Sequence, residues 1–417
     1  MLKKNQIIMN EGYDKKDILF SKGVGSHIYI KNKKYLDLSF CAGTNLLGHN
    51  SPIYKKAVKQ LIKNDVSNFA AKNLHAEEFS KTLKKTFPKY SKFIFCNSGT
   101  EAVFKSLRIA RAITQKNLII SVSGSWHGSV NELLFTPNSK LQSVELSEGL
   151  EKQAKKNIKF IPYNNIELSK KILKKYEKKI MCVIIEPIQA CLPVLAKEYL
   201  RFLNNYCKRK NIILIFDEMI TGLRFNGSSV QDNLKLNPSI STFGKCLGGG
   251  FPIGIIALKK NISKELLKKD KKVFFGGTFS GNSLSTYVAN KVVSFVLKNK
   301  KNIFKDLDDK SNYFVDHLNR FFHTNNYDAK CIKVTSLIRI IFTKKNVVNR
   351  TQRDFLEKKN TKKITSFRNF LFSKNIFYPT NGIIFFSKAT NYAEIDFLIK
   401  NIKLAFKKIF KTPKTQL

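Results

Sequence analysis

Four segments set polar, small or ionisable residues directly behind short apolar runs. Asn97-Ser98-Gly99-Thr100-Glu101-Ala102 follows Phe93 to Cys96 and opens a helical stretch through Ala112. Hydroxyls, a glycine and the free amides of a helix N-terminus suit a phosphate. Ser98-x-x-Glu101 is also a capping box that needs no ligand. Ser123-Gly124-Ser125-Trp126-His127-Gly128 follows Leu118 to Val122 and holds the only tryptophan of the chain. Trp126 either stacks on a flat ligand or packs in the core with His127 hydrogen-bonded beside it. Asp217-Glu218-Met219-Ile220-Thr221-Gly222 follows Ile212 to Phe216. A carboxylate at the end of an apolar strand needs a positive partner, such as a protonated ring nitrogen, or else caps a helix. Lys245 lies in Gly244-Lys245-Cys246-Leu247-Gly248-Gly249-Gly250, a setting without other charges. Most lysines are solvated, but a lysine desolvated there has a lowered pKa and forms a Schiff base with an aldehyde.

Together these segments offer a phosphate cradle, a stacking ring, a carboxylate for a pyridinium nitrogen and an amine for an aldehyde. Four different contacts in chain order, mostly at strand ends, point to a pyridoxal phosphate site.

The elements that must position them read as α/β. Apolar runs at Phe93–Cys96, Leu118–Val122, Met181–Ile185, Ile212–Phe216 and Ile253–Leu258 alternate with helical stretches. Uninterrupted apolar strands require cover on both faces, which predicts a mostly parallel central sheet with its chemistry at the carboxyl ends. From about Lys298 the pattern changes to an amphipathic helix over Ile303–Phe322, a β-like stretch at Leu337–Thr343, then helix, strand and helix. Ile28–Ile30 and Tyr35–Leu38 flank the polar turn Lys31–Lys34 as a hairpin. The expected division is an N-terminal arm and hairpin over 1–45 contributing to a small domain, a large cofactor-binding domain over 46–297, and a smaller α+β C-terminal domain over 298–417.

Composition excludes more than it assigns. In 417 residues, 75 Lys+Arg against 30 Asp+Glu give a formal charge of +45. The basic residues are scattered, as in Lys155-Lys156, Lys174-Lys175 and Lys407-Lys408, which fits solvated helix faces. No specific nucleic-acid partner is expected, although the excess favours an anionic small molecule. Seven cysteines without a CxxC pair indicate neither a disulfide framework nor a metal site, and a reducing compartment. No apolar run approaches the roughly 18 residues of a membrane span, nor is there a signal-peptide core, so a soluble, cytoplasmic protein is expected.

At these residues the sequence resembles the class III aminotransferases of pyridoxal phosphate fold type I, and more closely their glutamate-1-semialdehyde 2,1-aminomutase branch. The resemblance spans nearly the whole chain and also takes in Leu36-Asp37-Leu38, Gly48-His49, Glu186-Pro187 and Gly277-Thr278-Phe279-Ser280-Gly281-Asn282. It implies that Lys245 carries the cofactor and serves as the catalytic amine, that Asp217 binds the ring nitrogen, and that Ser98, Gly99 and Thr100 hold the phosphate. Trp126 would stack on the ring where the family has Tyr or Phe, with His127 and Glu186 near it. Thr278 would reach the phosphate of a neighbouring subunit, which implies a homodimer with shared sites. Ile220, where many ordinary class III aminotransferases carry Gln, favours the aminomutase branch. Against it, Gly382 stands where that branch has a Glu, its substrate-binding arginine has no counterpart around Phe20 to Lys22, and its Gly-rich gating loop is absent after Leu134. The expectation is therefore a transaminase working through pyridoxamine phosphate on an amino donor and a carbonyl acceptor, at least one of them small and anionic. The alternatives are the aminomutase, which gives 5-aminolevulinate, and a catalytically lapsed binding protein.

Overall fold

The computed structural model describes residues 18–268 and 272–410. Of the expected division, residues 1–17 of the arm, 269–271 and 411–417 lie outside the described residues. Strands β1 (Phe20–Val24), β2 (His27–Ile30) and β3 (Lys33–Asp37) open the chain. Next come β4 (Lys92–Cys96), β5 (Leu118–Val122), a ribbon of β6 (Phe135–Pro137) and β7 (Ser143–Glu145), and β8 (Ile158–Ile161). They are followed by β9 (Ile180–Ile185), β10 (Ile213–Asp217), β11 (Ile240–Gly244) and β12 (Gly254–Leu258). Beyond two long helices, Ser283–Lys298 and Lys300–Thr324, lie β13 (Lys330–Val334), β14 (Leu337–Ile341), β15 (Ile376–Phe377) and β16 (Ile383–Phe385).

The central sheet has the order β4-β12-β11-β10-β9-β5-β8. Every residue of β9, β10, β11 and β12 is buried, as strands covered by helices on both faces must be. The pairs β10–β11, β9–β10, β5–β9 and β5–β8 are parallel. The run at Ile253–Leu258 differs: β12 is antiparallel to both neighbours. Its link from β11, residues 245–253, is shorter than the dozen or so residues that a parallel crossover takes. This short link is the Lys245 segment itself. Two strands of the central sheet lie outside the apolar runs of the sequence. In β11 Ser241 and Thr242 interrupt the pattern, and in β8 Lys159 does.

The predicted hairpin forms as β2–β3, turning at Lys31-Asn32, and β1 adds to its edge. β15 pairs in parallel with β3, so the first and last parts of the described chain share one sheet of order β1-β2-β3-β15. A third sheet, β13-β14-β16, is antiparallel. No helix among the described residues is long and apolar enough to cross a membrane.

Candidate active site

The carboxyl ends of β4, β5, β9, β10 and β11 deliver Ser98, Ser123, Glu186, Asp217 and Lys245 to one edge of the sheet. A cavity of about 940 Å³ lies above that edge. Ser98, Gly99, Thr100, Trp126, His127, Glu186, Asp217 and Lys245 all border it.

Asp217 ends β10 with both oxygens engaged. Oδ2 lies 2.8 Å from His127 Nδ1, and Oδ1 accepts from Thr242 Oγ1 at 3.1 Å and from the Met219 amide at 3.2 Å. His127 therefore donates through Nδ1, since the carboxylate can only accept. Its other nitrogen, Nε2, is buried and has no partner among the described residues.

Glu186 is buried at the end of β9, where one oxygen accepts the Trp126 amide at 2.8 Å. Burial, and then the neighbouring Asp217, push its carboxyl up to about 7. Lys245 follows β11 with a left-handed backbone, φ +47°. That conformation is rare outside glycine and here turns the chain sharply off the strand. The Lys245 amine makes no hydrogen bond or ion pair of its own among the described residues. Burial lowers its pKa, against the opposing pull of Glu186 and Asp217.

The helix Gly99–Thr114 opens at the cradle, capped by Ser98 Oγ, which accepts the Glu101 amide at 3.1 Å. The capping box is only half made. Glu101 turns its carboxylate to the Asn97 amide at 2.7 Å and to Lys105. The amides of Gly99 and Thr100 meet no acceptor among the described residues. Thr100 Oγ1 accepts the Ser129 amide at 3.2 Å and would lie 2.3 Å from a Cβ on Gly128. Trp126 is 42 % exposed, so it faces the cavity rather than the core.

Thr278 is the exception. It sits exposed in a turn and does not border the cavity. Its segment is tied to the cradle helix by Lys105, whose buried ammonium donates to the Phe275 carbonyl at 2.7 Å.

Sequence reasoning passed over Met219 and Thr242. A Cβ on either Gly99 or Gly244 would come within 3 Å of Met219 Sδ, so this one side chain packs the cradle against the lysine turn. Thr242 stands one strand over from Asp217, in register with it, and the only signal was a polar pair inside β11. Asp37 and His49, noted for resemblance alone, also line the cavity, joined at 2.8 Å.

Residues 8–365 match the aminotransferase class-III family. The chain belongs to that family. It is 31% identical to the glutamate-1-semialdehyde 2,1-aminomutase of Fusobacterium nucleatum over 399 residues, 94% of this chain and 90% of that one. The enzyme of the same name from Methanosphaera stadtmanae is 30% identical over 402 residues, covering 93% and 91%. Among solved structures, an omega-transaminase from Sphaerobacter thermophilus superposes with a TM-score of 0.87 at 21% identity, covering 94% of this chain and 91% of its own. A glutamate-1-semialdehyde aminomutase from Pseudomonas aeruginosa PAO1 gives 0.82 at 14%, covering 96% and 90%. These structural likenesses carry the fold; family membership makes the chain a pyridoxal 5′-phosphate-dependent aminotransferase or aminomutase.

The residues present fit that cofactor. Among the described residues the amides of Gly99 and Thr100 meet no acceptor, Gly128 has no room for a Cβ, His127 Nε2 is buried without a partner, and Lys245 borders the same cavity as Asp217.

Proposed function

We propose that this class III enzyme is a transaminase for a small amino or carbonyl compound bearing an acidic group, with Lys245 and Asp217 as its catalytic residues. The observation that carries the reading is a desolvated lysine, without a hydrogen bond among the described residues, sharing one cavity with a hydrogen-bonded carboxylate. Bound pyridoxal phosphate supplies a carbonyl for the substrate nitrogen and an electron-withdrawing ring.

The chain does the rest. Ser98, Gly99 and Thr100 hold the phosphate at the helix N-terminus, where the dipole and free amides favour negative charge. Trp126, on the cavity wall, would offer a stacking face to the ring and shield it from water. Asp217 would favour the protonated form of the ring nitrogen, and His127 and Thr242 fix the carboxylate's orientation by donating to its two oxygens. Lys245 Nζ would accept and return the proton at the reacting carbon, the chemistry that an amine in this cavity supplies. Desolvation keeps more of this amine neutral and able to accept. Glu186 braces the Trp126 backbone beside it.

The enzyme works as a homodimer in which Thr278 of each subunit serves the other's phosphate. Exposed Phe274 and Phe279, beside Thr278, give that turn an apolar surface to bury. The division at residues 45 and 297 belongs to the same proposal, as do a cytoplasmic location and the absence of a specific nucleic-acid or membrane partner.

The aminomutase reading has the relatives of that name in its favour. Incubation with glutamate-1-semialdehyde and no second substrate separates the two. A transaminase passes the amino group of one molecule to the aldehyde of another and gives dicarbonyl and diamine in equal amounts instead of 5-aminolevulinate, with Lys245→Ala inactive. Continuous release of 5-aminolevulinate overturns the order, and unchanged turnover in Lys245→Ala overturns the role of the lysine.

A further inference from the structure

The parallel strands that end at the cavity begin among lysines. Lys116 comes just before β5, Lys156 just before β8, Lys178 and Lys179 just before β9, and Lys159 lies within β8. These five side chains and the ring of Tyr176 border a second groove, of about 530 Å³. The six residues of β9 span about 20 Å, so this groove and the active-site cavity lie at opposite ends of the same strands.

The groove is basic without compensation. No carboxylate stands on its border. Among the described residues none of the five ammonium groups meets a carboxylate, although lysines beside them do: Lys155 pairs with Glu145 and Lys210 with Glu177. Glu177 adjoins Lys178 in the chain, but its carboxylate is occupied by Lys210 at 2.9 Å and by the Tyr206 hydroxyl at 2.7 Å. In the 28 residues from Lys152 to Lys179, ten lysines stand against Glu167 and Glu177, twice the density of the chain's 75 Lys+Arg in 417 residues. Two of the five have local reasons to be there. Lys159 lies on an edge strand, where a lysine keeps other chains from pairing, and Lys156 complements the C-terminal end of a short helix. Neither reason gathers five cations from three separate connections around one groove. Like charges held together without counter-ions repel each other, and an anion seated among them removes that cost.

The border also says which anion. One phosphate carries about two negative charges, so five ammonium groups match two or three phosphates. No arginine lines the groove. A planar carboxylate is matched best by an arginine fork, whereas lysines serve phosphate as point charges. We propose that this groove is a binding site for a short chain of phosphates, free or as the tail of a nucleotide. The proposal does not depend on the transaminase reading, because the groove shares no residue with the active-site cavity.

Isothermal titration calorimetry of the holoenzyme, its active site filled with pyridoxal phosphate, tests this with tripolyphosphate. The wild type binds one tripolyphosphate per chain, and binds orthophosphate and citrate at least about 10-fold more weakly. Citrate binding as tight as that of tripolyphosphate overturns the phosphate assignment. In the triple variant Lys156→Gln, Lys159→Gln, Lys179→Gln the affinity falls at least about 10-fold, the sum of three exposed charge pairs. A charge-matched control, Lys400→Gln, Lys403→Gln, Lys407→Gln, alters a groove that has Asp396 on its border, and its affinity stays within about 2-fold of wild type. Equal losses in the two variants mean that tripolyphosphate follows the overall charge of +45 and overturn the site, as does the lack of saturable binding. A second readout is thermal. Tripolyphosphate raises the melting temperature of wild type and control more than that of the groove variant, whose own melting temperature is no lower than wild type; an equal rise in all three overturns the site. Adenosine triphosphate without magnesium separates the sources. Binding tighter than that of tripolyphosphate and weakened by Tyr176→Ala assigns the site to a nucleotide, equal binding untouched by Tyr176→Ala assigns it to a free chain, and both uphold the phosphate chain as the group recognised.

Discussion

Asp217 and His127 are 90 positions apart, and nothing in the spacing joins them. Each was legible alone, because a carboxylate and an imidazole behind apolar runs are unusual; their hydrogen bond exists only once β5 and β10 place their ends on one edge. Arg339 illustrates the reverse case. A single arginine inside a five-residue apolar strand is visible in the sequence, yet its lack of a proper counter-ion appears only when Glu357 is seen divided among three donors. Glu186 gives a prediction at this scale. Its carboxyl titrates near 7 in the fold, against an ordinary value of 4.5. Between those values the folded chain keeps a proton that the unfolded chain has released. Glu186 therefore favours the fold most below pH 4.5, and this contribution is lost as the pH rises through about 7. Glu218, also pushed up to about 7, adds the same trend and remains in both proteins, so the difference between wild type and Glu186→Gln isolates one group. Denaturant titration of the cofactor-free chain should show the variant gaining up to about 3 kcal/mol on wild type from pH 5 to 8. Parallel stability curves would mean that Glu186 ionises normally.

Elements were read more easily than their directions. The apolar runs gave five of the seven central strands their places, because burial on both faces leaves a pattern that any sequence of this class must carry. The antiparallel course of β12 left no such mark; it follows from the short loop that contains Lys245. That course has a structural use. β12 begins with Gly254, which pairs with Gly244 on one side and Cys96 on the other, between the lysine turn and the phosphate cradle. A Cβ on Gly254 would stand 2.0 Å from the Ser98 carbonyl oxygen and 2.7 Å from its carbon. Backbone has nowhere to go at such a distance, so Gly254→Ala must displace the start of the helix Gly99–Thr114. The expected result is a chain that folds with a loss of about 1–3 kcal/mol, as for other overpacked sites, and binds pyridoxal phosphate at least about 10-fold more weakly. A fluorescence titration with the cofactor measures this. Unchanged affinity would show that the cradle is set by its own cap and not by the strand beneath it.

Over the whole molecule the charge of +45 sets a term that no single site contains. Two effects of salt oppose each other. Screening weakens the ion pairs, and it also weakens the mutual repulsion of a large cationic excess that the compact state brings together. Among the described residues several ion pairs are exposed on both sides, such as Lys155–Glu145 and Lys305–Asp309, and pairs of this type contribute about 0–1 kcal/mol each. Pairs with a buried cation, such as Lys105–Glu101, Lys310–Asp306 and Arg353–Glu357, sit where added salt has less access. Repulsion should therefore win. Moving from about 0.02 M to about 0.5 M sodium chloride shortens the screening length from tens of ångströms to less than 10 Å, and the melting temperature should rise by several degrees. The acidic residues are too few to neutralise the surface whatever their arrangement, so potassium chloride should act as sodium chloride does. A melting temperature that falls with either salt would mean that the lysines are held in specific pairs with the few carboxylates, and that the excess is organised rather than dispersed.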